Sequence, residues 1–453
     1  MTAPAANGLA DLAQRILAAA RQRGASAAEC VLREGSELNT TVRLGEIENL
    51  KEAGGRGLGI RVFLGQRSAS TFTSDFSWPA VESMLDSALA IARVASEDPA
   101  AGLPEPGELG RADGDLGIYS PEIQQVGADQ AVDLARRCEQ AALAADPRLS
   151  NSEGGSFEAS SSRKVFANSL GFLGEYRRSS CSLAAVPIAA EDGHMQRDYW
   201  YSLAHAPSGL DAPEEIGRIA AQRALRRLGA RKVPTARVPV VLDPMVARSL
   251  LDHVFQAVNG ESIYRGTSFL AGQLGQSVAH PGVTIVDDGL RIGGFGSAPF
   301  DGEGVRRRRT VVICNGLLES YLLNSYTARK LGLKTTGNAA RGLAGNPGVG
   351  FGNLYLEPGP TSPETILAGI RQGLFVTEFI GMGVNLITGD YSRGATGLWI
   401  ENGELAYPVE EITVAGNLKD MLRNLVAIGN DLAFRGAAAS PTVLLEGLTV
   451  AGR

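Results

Sequence analysis

The chain has 453 residues, of which 44% are hydrophobic, and its 43 basic and 49 acidic side chains give a net charge of −6. This composition is typical of a folded globular protein and argues against a disordered chain or one whose whole surface binds nucleic acid. Only four His and four Cys are present, which argues against a disulfide-built or metal-rich protein. At about 150 residues per domain, the length predicts about three domains.

The first hundred residues predict a helix, a sheet and a second helix. Apolar residues recur at helical spacing over 8–23 and again over 77–95. Strand-like runs lie between them, separated by glycine-rich turns at Gly54-Gly55 and Leu64-Gly65. These runs cover residues 29–33, 39–43, 59–63 and 68–73.

The same order of elements is predicted to return after a linker. Residues 96–122 are rich in Pro, Gly and Asp, which is typical of a connecting segment. Helical patterns over 129–145 and 213–228 then enclose a second group of strand-like runs. These runs cover 163–168, 174–190 and 194–204.

The last 220 or so residues are dominated by strand and turn signals. A strand over 238–242 leads into a helix over 244–258, and Ser362-Pro363 marks another helix start. Two hairpins are predicted at Asn315-Gly316 and Asn402-Gly403, because both central residues of a type I′ turn need positive φ. The fold class is therefore α+β, with two helix-sheet-helix units followed by a large, mostly antiparallel β domain. The predicted domains are 1–100, 101–232 (including the linker) and 233–453.

Soft metal ligands are sparse and scattered along the chain. No two His residues lie within five positions of each other, and the four Cys residues form no CxxC pair. The sequence also contains no GxSxG elbow and no phosphate-binding P-loop. His253 is the one His with an acidic neighbour, Asp252, and an ordinary structural role explains each of the four rings equally well.

Two glycine-bracketed loops are the best candidates for ligand binding. Each combines charged or polar side chains at a turn, where carboxylates and a guanidinium can hold the polar ends of a ligand. The candidate residues are Asp390, Tyr391, Ser392 and Arg393 in one loop and Asp301 and Glu303 in the other. A polar loop that satisfies only its own backbone is the alternative for both.

A run of four arginines, 306–309, leads into the first predicted hairpin. Because side chains alternate along a strand, two of them should point to each face. A charged, solvated strand edge explains the run, and such edges also prevent unwanted strand pairing. Contact with phosphate groups is the alternative.

Several long stretches of the sequence resemble the TldD/PmbA family, and more closely its PmbA branch, also called TldE. They lie at residues 57–63, 299–308, 326–339, 373–421 and 429–431. The resemblance implies a cytosolic subunit of a zinc metallopeptidase, thought to work as a TldD–TldE heterodimer on unfolded peptides. Members of the family also carry an older name, modulator of DNA gyrase. With neither an N-terminal signal pattern nor a long apolar run in the sequence, we expect a cytoplasmic protein without a membrane span.

The resemblance also indicates where a metal site would lie. TldD carries an HExxxH helix and a distant Cys. Placed on the matching helix here, Asp252 replaces the first His, His253 replaces the Glu and Ala257 replaces the second His. The distant Cys falls within 437–440, where no Cys is present. The resemblance therefore implies degenerate metal-site positions, no catalytic residue and no cofactor in this chain, with zinc on a TldD-type partner.

Three functions follow as hypotheses. The leading one is a metal-free subunit that completes a peptide-binding chamber with a TldD-type partner. In this chamber an extended peptide adds to a sheet as a strand. The two candidate loops line or shape the chamber. The chain alone could form a homodimer. The second is an autonomous metallopeptidase that uses His253, Asp252 and Glu261. The third is a non-enzymatic regulator that acts on gyrase or nucleic acid through residues 306–309, although the overall charge does not favour nucleic acid as a partner.

Overall fold

A computed structural model describes residues 8–452 of the chain as a mixed α and β protein. Within these residues the helices are α1 (Gly8–Gln22), α2 (Trp78–Val94), α3 (Ala128–Leu143), α4 (Pro213–Leu225), α5 (Pro244–Val258), α6 (Gly260–Tyr264), α7 (Ser325–Leu331), α8 (Pro363–Ala368) and α9 (Leu418–Arg423). The strands of the first half are β1 (Ala27–Arg43), β2 (Glu46–Leu64), β3 (Arg67–Thr73), β4 (Asn151–Asn168), β5 (Leu173–Glu191), β6 (His194–Arg197) and β7 (Trp200–Ala204). Those of the second half are β8 (Ala236–Leu242), β9 (Ile285–Asp288), β10 (Arg309–Cys314), β11 (Leu317–Leu318), β12 (Ala339–Ala340), β13 (Gly348–Val349), β14 (Leu354–Leu356), β15 (Gln372–Ile380), β16 (Asp390–Glu401), β17 (Glu404–Asn417), β18 (Leu425–Ile428), β19 (Ala438–Ala439) and β20 (Val443–Ala451).

One seven-stranded antiparallel sheet spans the first half of the chain. Its order is β3-β2-β1-β4-β5-β6, with β7 also paired to β5. Because β1 pairs with β4, the sheet crosses the predicted boundary near residue 100 without interruption. The division into 1–100, 101–232 and 233–453 stays a prediction, while the predicted return of a helix-sheet-helix order is confirmed.

The strands of this sheet are longer than the sequence pattern predicts. The runs 29–33 and 39–43 belong to the single strand β1, and the predicted turn at Gly54-Gly55 is wrong because both glycines lie within β2. Gly55 pairs with Gly35 of β1. A Cβ added to Gly35 would come within 2.6 Å of the Ser161 carbonyl oxygen of β4, whereas one added to Gly55 would meet nothing within 4 Å. Glycine is therefore needed for a close approach of backbones at Gly35. The true turn follows β1 at Leu44, whose φ is +49°.

The pleat of β1 gives the sheet two different faces. Cys30 and Leu32 point to the face that α1 and α2 cover, in an apolar cluster with residues of β2 and β4. The alternate residues Glu29 and Val31 point to the other face, where Val31 packs against Phe300 of the second half of the chain. The period of two in a strand therefore decides which side of the sheet receives the helices and which side receives the C-terminal half.

The C-terminal half contains a closed ring of strands and a second sheet. The strands β17, β16, β15, β8 and β20 pair in this order, and β17 also pairs with β20 to close the ring. The second sheet has the order β11-β10-β9-β14-β19. Most pairings are antiparallel, as predicted, with β8–β15 and β14–β19 as parallel exceptions in the described residues. Helix α5 contacts strands of both assemblies and supplies part of the largest apolar core.

Local turn and cap signals in this half are confirmed. Asn315-Gly316 joins β10 to β11 and Asn402-Gly403 joins β16 to β17, each with positive φ at both residues. Ser362 caps α8 through its hydroxyl, which accepts a hydrogen bond from the backbone N–H of Thr365. Such signals succeed because they depend on a few neighbouring residues only.

A buried ion cluster joins the two halves of the chain. Glu29 is fully buried, and its carboxylate accepts a hydrogen bond from Arg61 Nε at 2.6 Å and another from the Arg341 guanidinium. Burial alone would raise the pKa of Glu29, but Arg341 and Arg61 hold it below its ordinary value. The segment after Arg341 passes directly over β2, where a Cβ on Gly59 would overlap the carbonyl oxygen of Leu343.

Replacing Glu29 by Gln should lower the free energy of unfolding by about 3–5 kcal/mol, because two buried arginines lose their shared carboxylate. Glu153→Gln is the matched control, since Glu153 forms an exposed ion pair with Arg197 and should change the free energy by about 1 kcal/mol or less. Urea unfolding of both variants measures the difference. Equal losses in the two variants would show that the buried cluster does not stabilise the junction.

Candidate active-site region

The helix that matches the metal-binding helix of the resembled family is α5. It begins where the Asp243 side chain accepts a hydrogen bond from the backbone N–H of Met245 and where Pro244 occupies the first turn. Its apolar face is buried, while Asp252 and His253 are half-buried and Ala257 is fully buried. Strand β19, within the segment predicted to hold the distant Cys position, packs against α5. The structure therefore brings all the degenerate metal-site positions to one region.

The side chains in this region do not fit a zinc ion. Ala257 has no donor atom, and the segment 437–440 contains no Cys. Within residues 8–452, no group of three or more His, Cys, Asp or Glu side chains is placed to hold a metal ion. A zinc site needs three or four such ligands around one point, so no catalytic step can be assigned to a metal on this chain.

His253, the one imidazole of α5, lies in an aromatic environment. Its ring contacts the Tyr391 ring edge-on at a centroid distance of 5.9 Å, and its buried Nε2 has no hydrogen-bond partner within residues 8–452. Burial, with a smaller contribution from Arg393, lowers the pKa of His253 to about 4. The ring is therefore neutral at physiological pH. Burial likewise raises the pKa of Tyr391 to about 12, although Arg393 opposes the shift.

A cavity of about 340 Å³ opens beside α5, between that helix, the end of α4 and the strands β15 and β16. Five arginines contribute to its wall: Arg197, Arg223, Arg227, Arg248 and Arg393. Three carboxyl side chains also contribute: Asp198, Asp252 and Glu378. Arginines therefore outnumber carboxylates in the wall of a cavity that Asp252, one of the degenerate metal-site positions, also lines.

Two of the three carboxylates are already engaged by arginines. Arg223 Nε donates to Asp198 at 3.3 Å, and Arg227 forms an ion pair with Glu378 at 2.8 Å. The third carboxyl, Asp252, has its pKa raised by burial, and the charge of Arg248 only partly opposes the shift. The positive excess of the cavity therefore comes from arginines that these carboxylates do not neutralise.

Arg248 and Arg393 are the two cavity arginines without a carboxylate within ion-pair distance in the described part of the chain. Arg248 donates to the hydroxyl of Tyr201 at 3.0 Å. Arg393 donates to the carbonyl oxygen of Gly381 at 2.9 Å, and its guanidinium lies 4.9 Å from the centre of the Phe379 ring. Each guanidinium therefore keeps N–H groups that no anionic group of the described chain occupies.

The predicted loop at 390–393 is divided by the pleat of β16. Tyr391 is buried against His253 and Arg393 lines the cavity, whereas Asp390 and Ser392 are exposed on the other side. Asp390 accepts a hydrogen bond from the Thr388 hydroxyl at 2.6 Å. The four residues thus do not act as one set, and Tyr391 and Arg393 are the two that reach the α5 region.

The second predicted loop has a structural environment. Asp301 and Glu303 are each about 1% exposed, so they are not placed to contact a peptide. Asp301 accepts hydrogen bonds from the backbone N–H groups of Glu303, Val305 and Ala339. Glu303 accepts one from Ser325 N at the start of α7. Both carboxylates hold the backbone of this loop in place. Of the two predicted roles, lining and shaping the chamber, only shaping is compatible with their burial.

The arginine run does not divide evenly between two faces, so that prediction is wrong. Only Arg309 lies within β10, and it pairs with Glu357 at 2.9 Å. Arg306 and Arg308 are exposed, whereas Arg307 is half-buried and has two buried nitrogens without a hydrogen bond in the described chain. The three residues before β10 follow loop geometry, in which strict alternation does not apply.

Sequence reasoning missed most of the cavity. Arg223 is near the C-terminal end of α4 and Arg227 lies in the turn that follows this helix, whereas Arg248 and Asp252 are four apart on α5 and share a helix face. That spacing is a visible signal. The signal is weak, however, because exposed helix faces show the same spacing, and only tertiary structure brings α4 to α5.

Comparison with protein families gives three matches along the chain. Residues 28–92 match PmbA/TldA metallopeptidase domain 1, residues 121–228 match the central domain of this group, and residues 235–452 match its C-terminal domain. The last match contains α5, the cavity wall from β15 and β16, and β19.

Individual proteins agree with these matches. The chain is 42% identical to metalloprotease PmbA of Escherichia coli O157:H7, over 94% of this chain and 92% of the relative. A crystal structure from Bacteroides thetaiotaomicron, of a protein described as a candidate modulator of DNA gyrase, superposes with a TM-score of 0.91 at 28% identity and covers 98% of both chains. TldE from Thermococcus kodakarensis has the same fold, with a TM-score of 0.88 at 22% identity over 97% of this chain and 100% of that one.

The buried carboxyl of Glu303 predicts a pH dependence of stability. Burial, and then the charge of Asp301, raise the pKa of Glu303 to about 7. The folded protein therefore binds this proton more tightly than the unfolded chain, so the stabilisation is complete below a pH of about 4.5 and is lost as the pH rises through about 7. Glu303→Gln should make the free energy of unfolding less dependent on pH over this window, by up to about 3 kcal/mol.

Urea unfolding at a series of pH values between these limits measures the effect. The exposed Glu446→Gln is the matched control and should keep the wild-type slope. The same slope in Glu303→Gln and wild type would contradict the assignment.

Proposed function

Because the chain belongs to the PmbA/TldD family of metallopeptidases, we propose that it is the metal-free subunit of a two-subunit peptidase whose zinc ion lies on a TldD-type partner. One observation carries the proposal: α5 presents Asp252, His253 and Ala257 at the positions that match the His, Glu and His of the TldD motif, beside a cavity with five arginines. An excess of fixed positive charge opposes a divalent cation. The role left to this chain is to bind and position the peptide.

The fold supports a binding mode for unfolded peptides. Sheet edges in both halves of the chain present backbone N–H and C=O groups, and an extended peptide can add to such an edge through main-chain hydrogen bonds. Main-chain bonding depends little on side chains, which suits substrates of varied sequence. In this proposal, Tyr391 and Arg393 lie at the wall of the shared chamber, and Asp301 and Glu303 shape it from within the protein.

The proposed complex is cytoplasmic and heterodimeric. None of the helices in residues 8–452 combines the length and apolar character needed to cross a membrane. A homodimer of this chain is the assembly we expect to compete with the heterodimer when the partner is absent. Size measurements on the chain alone and with the partner distinguish the two.

Co-expression with a TldD-type subunit should yield a complex that contains zinc and cleaves unfolded peptides, whereas this chain alone should do neither. The physical reason is the missing donor set on α5. Zinc is measured by atomic emission, and cleavage is measured on a denatured, labelled protein. Stoichiometric zinc together with peptide cleavage by the lone chain, verified free of partner, would overturn the proposal.

An autonomous peptidase that uses His253, Asp252 and Glu261 is not favoured by the geometry. Asp252 lines the arginine cavity, whereas Glu261 lines a different cavity together with Asp98 and Tyr326. The three side chains therefore do not converge on one ion.

His253→Ala tests this second candidate directly. Because His253 is part of no donor cluster, we expect wild type and variant to have the same zinc content, close to zero, after purification and dialysis. Ala257→Gly, on the same helix, is the control for a change in helix stability. A zinc content that is substantial in wild type and lost only in His253→Ala would revive this candidate.

A direct role on nucleic acid has little support from the described surface. Within the arginine run, Arg307 is turned inward and Arg309 is paired with Glu357. Arg306 and Arg308 alone remain exposed without an acidic partner in residues 8–452. Two isolated charges are few for a phosphate-binding surface, where many contacts act together.

A further inference from the structure

We infer that the arginine cavity beside α5 is a binding site for a carboxylate group of a peptide, either its C-terminal carboxylate or an acidic side chain. The inference deepens the proposed function and rests on it, because it assumes that peptides are the ligands. It assigns a task to the cavity next to the degenerate metal region: beside the positions that the resemblance matches to the metal site of TldD, this chain would hold an anion.

The charges of the cavity divide into structural pairs and free arginines. Arg223 and Arg227 are held by Asp198 and Glu378. Arg248 and Arg393 are hydrogen-bonded only to neutral oxygens, a phenol and a backbone carbonyl. Neither of them therefore has a carboxylate within ion-pair distance in the described chain, and Asp252 acts on Arg248 only from a longer range.

The two free arginines come from different elements. Arg248 is on α5 and Arg393 is on β16, yet both line the same cavity. A guanidinium presents a planar set of N–H donors that matches the two oxygens of a carboxylate, and such charge-assisted bonds are stronger than neutral ones. A ligand carboxylate would supply the acceptors that Arg248 and Arg393 lack.

The rest of the cavity suits a peptide rather than a free inorganic anion. The side chains of Tyr199, Met245 and Phe379 add apolar surface to the wall. A space of about 340 Å³ lies at the lower end of the range for small-ligand sites and is larger than a carboxylate needs. The remaining volume can accept the residue that carries the carboxylate.

Binding of labelled peptides tests the inference. The probes are three alanine hexapeptides with an N-terminal uncharged BODIPY label, which adds no carboxylate of its own: one with a free C-terminal carboxylate, one amidated, and one amidated with a single central Glu. Fluorescence anisotropy is measured on the full chain alone and on its complex with a TldD-type subunit after zinc removal. We expect the amidated, Glu-free peptide to bind roughly tenfold more weakly than at least one carboxylate-bearing probe.

The variants Arg248→Gln and Arg393→Gln should each weaken binding of the carboxylate-bearing probe by roughly tenfold and leave the amidated, Glu-free probe unchanged. Arg248→Lys and Arg393→Lys keep the charge without the planar donor set and should fall in between. The matched control is Arg371→Gln, an exposed arginine outside the cavity, which removes the same charge and should bind all probes like wild type. Thermal unfolding temperatures verify that each variant is folded.

The outcomes distinguish the two sources of the carboxylate, and they distinguish the carboxylate site from the subunit assignment on which it rests. Preference for the free C terminus identifies the terminal carboxylate, and preference for the central Glu identifies an acidic side chain. Equal affinity for all three probes, no measurable binding of any, or an equal loss in Arg371→Gln would overturn the carboxylate site. Co-purification with the TldD-type subunit is measured on the same variants, so a failed carboxylate site with an intact complex is distinguishable from a failed subunit assignment.

Discussion

The structure depends on the buried ion cluster of Glu29, Arg61 and Arg341. A fully buried carboxylate is stable only when it is paired and hydrogen-bonded, and here one partner comes from the same sheet and the other from the C-terminal half. The sheet face that carries Glu29 therefore has to meet the segment that carries Arg341. Gly59 allows that segment to lie directly on β2. The orientation of the two halves therefore depends on the pairing of the buried Glu29 carboxylate and on the absence of a side chain at Gly59.

The candidate site is a product of the same junction. Its first-half members lie on α4 and between β6 and β7, while its second-half members lie on α5, β15 and β16. The ion pair between Arg227 and Glu378 crosses from one half to the other, as does the hydrogen bond from Tyr201 to the backbone of Arg435. Because residues of both halves line the cavity, a substitution in either half can change its charge without disturbing an apolar core.

The sequence predicts the parts of this structure that depend on neighbouring residues. The Asn-Gly hairpins, the cap of α8 and the helical face of α1 follow from turn chemistry and apolar spacing. The placement of the degenerate metal-site positions on α5 was also predicted, because the resemblance to a family matches residues of this helix. Long-range features were not predictable in this way: Gly54-Gly55 has the composition of a turn and is strand, since both glycines pair with residues of β1. The burial of Arg307 side-chain nitrogens likewise depends on tertiary contacts. So does the placement of Arg223 and Arg248 on the wall of one cavity.

The central place of β1 in its sheet has a consequence for synthesis of the protein. Its two neighbours are β2, which follows it immediately, and β4, which begins at Asn151. During translation one edge of β1 therefore stays open until more than a hundred further residues have been made, and open strand edges invite pairing with other chains. Glu34, Ser36 and the neighbouring glycine at the middle of this edge are poor partners for such pairing. The polar centre of the long strand thus protects the nascent chain from aggregation until β4 arrives.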